Sequence, residues 1–266
     1  MFSKKITLKN GHSVTKPFDY TIFIIIIVLV ICYISADITG FNLGLILNAP
    51  DKLTEFLSRL FPINTGFFSS IWSPIFETLA MSFLGTLFAA ICAFPTMYLC
   101  ANNLNSNKII LFTIRTILSI IRTIPITVFA LVFGFVLGLG TLAGMLSIWI
   151  FTFSILTKML YDYVETVDMK AYEAMISSGA TRFKAFWCAI VPQISGTFLS
   201  QVLYNFEMNV RSSAILGYVG AGGIGIILND QLSLMIYQNV TPILISLFLT
   251  VLIVEFVSRE FRKRLS

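Results

Sequence analysis

An all-α polytopic membrane protein with about six transmembrane helices is the fold class this chain predicts, on three observations. Of 266 residues, 57% are hydrophobic and only 12% charged, with a mean hydropathy of +0.88; soluble domains average about 25% charged. The apolar residues gather into runs near the length of a span, about 20 residues, and 266 residues hold roughly six of these with short loops. Lys and Arg sit between the runs, as orientation charges do. Disorder is excluded, because low hydrophobicity is what keeps a chain unfolded. The net charge of +5 has no soluble basic face to serve it, so no nucleic acid partner is expected.

Met1 to Lys16 is polar and carries Lys4, Lys5, Lys9, Lys16 and the sole histidine, His12, read as a solvated tail residue. The apolar run Tyr20 to Ile34 follows. A basic start and a short apolar core also fit a signal peptide, but Ser35-Ala36-Asp37 is a poor cleavage site, so an uncleaved first span is expected. Leu53, Phe56, Leu57 and Leu60 then recur at helical spacing among Lys52, Glu55 and Arg59. That pattern suits an amphipathic helix at the membrane interface or one packed on the protein's own surface. Residues 1–72 are expected as the tail, first span and extracytoplasmic interfacial segment.

The second span is expected from about Pro74 to Leu99. Charge vanishes again from Thr123 to Thr157, which Gly138-Leu139-Gly140-Thr141 divides into a hairpin of spans three and four. Gly134 and Gly138, like Gly140 and Gly144, form GxxxG pairs that let helices approach closely. Arg115 and Arg122, seven apart, are expected to snorkel from one end of span three. A charged link runs from Lys158 to about Pro192, span five from Ile194 to Leu216, and span six from Thr241 to Val257. The basic tail is 259–266. Counting Lys and Arg places both termini and the fourth-to-fifth link in the cytoplasm.

That link reads as two short helices. Gly179 suits the left-handed residue that ends the first, Thr181 can cap the second, and Pro192 begins the next element. Phe183, Phe186 and Trp187, flanked by Arg182 and Lys184, form either a docking surface or a patch packed on the protein's own helix ends. In span five Gln193, Thr197, Ser200, Tyr204, Glu207 and Arg211 make one polar stripe, which lipid cannot satisfy. Glu207 and Arg211, four apart with Glu first, can pair. Arg211 and Asn209, with Ser212 beside them, can equally line the path of an anion. Gly220 to Gly225 spells GxGxxG, but a preceding span and the missing acidic residue rule out a dinucleotide fingerprint. Gly217, Gly220, Gly222, Gly223 and Gly225 suit a sharp bend with close packing, or a nest of N–H groups for an anion.

Two resemblances follow from these residues. Glu173, Ala174, Gly179 and Pro192 match the cytoplasmic Glu-Ala-Ala loop in membrane subunits of bacterial ABC importers, with Met175, Ala189 and Val191 departing conservatively. Phe206 to Gly225 resembles the phosphonate-transport permeases, which carry Glu-x-Asn-x-Arg followed by Val-Gly-Ala-Gly-Gly-Ile-Gly. The likeness covers about residues 75–258. It implies a type I ABC importer transmembrane domain, methionine-permease-like, with a core over 73–258. Residues 171–192 would be the coupling loop, in which Glu173, Ala174, Gly179, Phe183 and Pro192 contact an ATPase. It further implies ABC ATPase subunits that bind the ATP, an extracytoplasmic substrate-binding protein, a second permease copy, membrane lipid, and residence in the bacterial cytoplasmic membrane. No catalytic residue, metal or resident cofactor is expected: convergent His, Cys or paired carboxylates are missing, and Cys32, Cys92, Cys100 and Cys188 lack paired spacing. An ion-gradient carrier or channel, or a permease for a different small solute, is the alternative.

Overall fold

The computed structural model describes residues 5–7, 13–15, 20–41, 44, 49–61 and 63–265. His12, Lys4, Lys9 and Lys16 lie outside the described residues. The chain divides into two units, 1–58 and 59–266.

In the first unit, β1 (Lys5–Thr7) pairs antiparallel with β2 (Ser13–Thr15). Helix α1 (Thr21–Ile38) contains the first expected span and buries no residue, as suits a helix whose solvent is lipid. Helix α2 (Ala49–Leu60) follows, and the division between the units falls inside it. Leu53, Phe56 and Leu57 are exposed.

The second unit is built of helices joined by short loops, with no strand among its described residues. Helix α3 (Phe68–Cys100) is the longest; it starts before residue 73, so the expected boundary there is no structural break. Its partner is α6 (Thr141–Val164). Lipid supplies no hydrophobic drive between helices, so close contact between small residues must. Gly85, Ala89 and Ala93 provide it: a Cβ on Gly85 would sit 2.7 Å from the Ile148 side chain.

The third span departs from expectation. It is a broken pair, α4 (Lys108–Thr123) and α5 (Ile126–Leu137), bent by 89°. Pro125 causes the break. Its ring pushes the preceding residue out of helical backbone, and Ile124 lies at φ −87°, ψ 124°. Among the described residues, five helices are long and apolar enough to cross a membrane, or up to six with the bent pair counted as one span. The expected hairpin at 138–141 is present, and the Gly140 N–H donates to the Gly220 carbonyl at 2.9 Å.

Two short helices, α7 (Lys170–Ser177) and α8 (Arg182–Ala185), lead through a π turn (Phe186–Ile190) into α9 (Val191–Leu216). The glycine loop and α10 (Ile224–Ser233) precede α11 (Tyr237–Leu265). The basic residues expected as a separate tail are thus the last turns of α11. Phe186, Ile190 and Ile194 pack with Met97, Leu156 and Leu160 at one end of the bundle. Ile71, Ile75, Ile224, Leu228 and Ile243 pack at the other.

Candidate functional site

The segment 170–190 is an arm built by its own sequence. Asp168 accepts the Lys170 N–H at 3.0 Å at the start of α7. Gly179, at φ +90°, ends that helix, and the Ala180 N–H reaches back to the Met175 carbonyl at 3.0 Å, the hydrogen bond of a Schellman turn. The Thr181 hydroxyl then accepts the Lys184 N–H. Pro192 lies in the first turn of α9 with no loop before it. A proline lacks the N–H and crowds the carbonyl four residues back; the wider π turn at 186–190 accommodates both. The arm therefore runs into the span as one helical element, Arg182 to Val219.

Tyr172 and Phe186 anchor the arm in the core. Phe186 is buried rather than presented, because it stacks edge-on to Tyr98 with centroids 4.9 Å apart. Burial, with Tyr98 adding to it, pushes the Tyr172 phenol above its ordinary range. Phe183 is 66% exposed and Trp187 47%. Glu173, Ala174, Gly179 and Pro192 are also exposed. A recess lined by Asn103, Ser106, Tyr172, Glu173, Ile176 and Arg182 opens beside α7.

A clamp that sequence reasoning missed holds the base of the arm. Arg115 pairs with Glu165, donates from Nε to the Cys100 carbonyl at 2.9 Å, and lies 4.4 Å from the Tyr161 ring centroid. Glu165 also accepts the Asn102 N–H at 2.8 Å. Arg122 donates to the Ser154 carbonyl at 3.1 Å. Both arginines thus bind inward, where the sequence suggested snorkelling.

Inside the bundle, α3 presents Thr78, Ser82 and Thr86 one turn apart, all buried. Thr86 and Thr152 each accept a hydrogen bond from the Asn209 amide, at 2.8 and 2.9 Å. Ser82 and Ser213 meet at 2.8 Å. Asn209 therefore joins three helices, with Ser212 half-buried beside Ser213. Glu207 turns inward and accepts from two arginines: Arg211 Nη2 at 3.5 Å and Arg262 Nη2 of α11 at 3.1 Å. The sequence suggested the first pair; nothing in its spacing marked the second. Tyr204, Met208, Arg211 and Ile215 form an exposed stripe on α9, which Tyr218 continues in the turn after it.

The glycine loop is a packing device in this geometry. A Cβ on Gly217 would lie 2.2 Å from the Gly225 backbone, where α9 and α10 cross. Gly223, at φ +72°, lies against Thr78, whose hydroxyl caps α10 by accepting the Ile224 N–H at 2.8 Å. The Gly220, Ala221 and Ile226 N–H groups donate to Gly217, Leu216 and Gly223 carbonyls.

Residues 85–266 match the family model of the binding-protein-dependent transport system inner membrane component. The chain is 34% identical over 211 residues to HtxC of Stutzerimonas stutzeri, assigned as a phosphite transport system permease protein, covering 79% of this chain and 75% of that one. It is 29% identical over 218 residues to the phosphite transport system permease protein PtxC of the same organism, covering 82% and 79%. The inward-facing MetNI methionine ABC transporter shares the fold, with a TM-score of 0.67 at 20% identity over 77% of this chain and all of that one. With the family model matching most of the helical unit and the MetNI-type fold beneath it, the chain belongs to the inner-membrane permease components of binding-protein-dependent transport systems.

Proposed function

We propose that the chain is the permease subunit of an ABC importer that moves a phosphorus oxyanion, a phosphonate or phosphite, across the cytoplasmic membrane. One observation carries the reading. A single helical element, Arg182 to Val219, exposes Phe183 and Trp187 at one end and Arg211 farther along. An ATPase gripping the arm at Glu173, Ala174, Gly179 and Phe183 would act directly on the helix that faces the substrate. The substrate class is supported by relatives named for phosphite transport and by the fit of a guanidinium to phosphorus oxyanions.

In this reading two permease copies form the passage, both termini face the cytoplasm, ATP binds only to the ATPase, and an extracytoplasmic binding protein delivers substrate. The test is reconstitution in vesicles with the ATPase and the substrate-loaded binding protein. ATP-dependent accumulation of phosphonate or phosphite is the expected result. Equal accumulation without the ATPase would establish a gradient-driven carrier, and ATP-driven uptake confined to phosphorus-free solutes would overturn the substrate.

A further inference from the structure

We infer that Arg262, near the end of α11, is a positioning residue for substrate passage: by neutralising Glu207 it leaves Arg211 available to an oxyanion, on the reading above that the chain moves one. The geometry is asymmetric. Arg262 Nη2 lies 3.1 Å from Glu207 Oε2, within ordinary hydrogen-bond length, whereas Arg211 Nη2 lies 3.5 Å from Oε1. The Arg262 guanidinium also rests 5.9 Å from the Tyr204 ring centroid, one turn before Glu207. Arg211 has a further contact only to Met208 Sδ among the described residues, at 3.6 Å, and a thioether is a weak acceptor.

Exposure follows the same order. The Glu207 side chain is 9% exposed, that of Arg262 27%, and that of Arg211 50%. A half-exposed guanidinium in a span is too costly to face lipid, so the stripe Tyr204, Met208, Arg211, Ile215 and Tyr218 faces water or a second copy. Among the described residues, the one carboxylate of Glu207 against the two guanidinium groups leaves the cluster with one positive charge. Without Arg262 the cluster would be neutral. Glu207 would draw Arg211 in, and an arriving oxyanion would meet a satisfied ion pair.

The test measures phosphonate or phosphite uptake per ATP hydrolysed by the whole transport complex in vesicles, with saturating loaded binding protein. Arg262→Gln should lower that ratio about tenfold or more, the worth of a lost charge-assisted hydrogen bond to the anion. Arg262→Lys, which keeps the charge, should stay within about threefold of the native protein. The double variant Glu207→Gln/Arg262→Gln restores one positive charge on Arg211 and should recover to a similar level. A residue that merely ties α11 to α9 gives the opposite pattern, since the double variant then does no better than Arg262→Gln. That result, or Arg262→Lys failing as badly as Arg262→Gln, overturns the inference. If the native complex hydrolyses ATP but moves no phosphorus oxyanion, the substrate reading fails instead, so the two failures are distinct.

Discussion

Gly225→Ala is the sharpest test of the packing between α9 and α10. A Cβ at Gly225 would stand 2.3 Å from the Ala214 carbonyl oxygen and 2.7 Å from the Gly217 Cα. Both are backbone atoms, so no side chain can rotate away. Ordinary contact begins near 3.4 Å, and the two helices would have to separate by about 1 Å. Overpacking of this kind costs about 1–3 kcal/mol, or more where relief is blocked. At roughly 2–4 °C per kcal/mol for a domain of this size, Tm in lipid nanodiscs should fall by roughly 2–12 °C. Gly138→Ala is the control. Gly138 has φ +91°, ψ 156° with nothing near its Cβ direction, so only a backbone penalty of about 1–3 kcal/mol applies, and relaxation of an open hairpin should reduce it. A Gly225→Ala protein that melts with the native one, or that loses less than Gly138→Ala, would refute the proposed crossing.

Two further perturbations probe the interior and the arm. Asn209→Leu removes the amide joining Thr86 and Thr152; interhelical hydrogen bonds in membranes average about 0.6 kcal/mol each, so a loss of about 1–2 kcal/mol is expected. That corresponds to a Tm drop of roughly 2–8 °C, and an unchanged melting curve would show that the network contributes nothing. Phe183→Ala should leave Tm within about 2 °C, because that side chain is 66% exposed, while co-purification of the ATPase is lost. Retained ATPase binding by that variant would remove the arm from the coupling surface.

The helices were legible wherever one physical cause acts locally. Apolar length marked α1, α3, α6, α9 and α11. Gly179 and Thr181 marked the turn of the arm, because a left-handed residue and a capping hydroxyl work through neighbouring backbone. The break at Pro125 carried its own signal, but the uncharged run from Thr123 to Thr157 concealed it: composition measures apolar length and is blind to direction. Long-range partners had no local cause to read. Arg262 lies 55 positions from Glu207 among three other basic residues of similar appearance, and Arg115 reaches Glu165 across 50 positions. Phe186 and Trp187 are adjacent aromatics of the same arm, yet only the fold determines which is buried and which is presented.

The polar stripe of α3 bears on what moves when the arm is pulled. Two of its three hydroxyls are already satisfied along their own helix: Thr78 donates to the Pro74 carbonyl and Thr86 to that of Ser82, both at 2.7 Å, as Ser213 of α9 donates to the Asn209 carbonyl at 2.6 Å. The Thr86 oxygen then accepts from Asn209 of α9, and the Thr78 oxygen from the Ile224 N–H of α10. A slide of α9 along α3 would break the Asn209–Thr86 and Ser82–Ser213 bonds together, in a setting without water to replace them. The arm's displacement should therefore carry α3, α6 and α9 as one body. Ser82→Cys/Ser213→Cys tests this, because the two hydroxyls stand 2.8 Å apart and their thiols should oxidise to a disulfide. Uptake by the oxidised complex should stay within about twofold of the reduced one, since a bond between parts that move together restrains nothing. Uptake that vanishes on oxidation and returns with reductant would mean that α9 slides past α3 during transport.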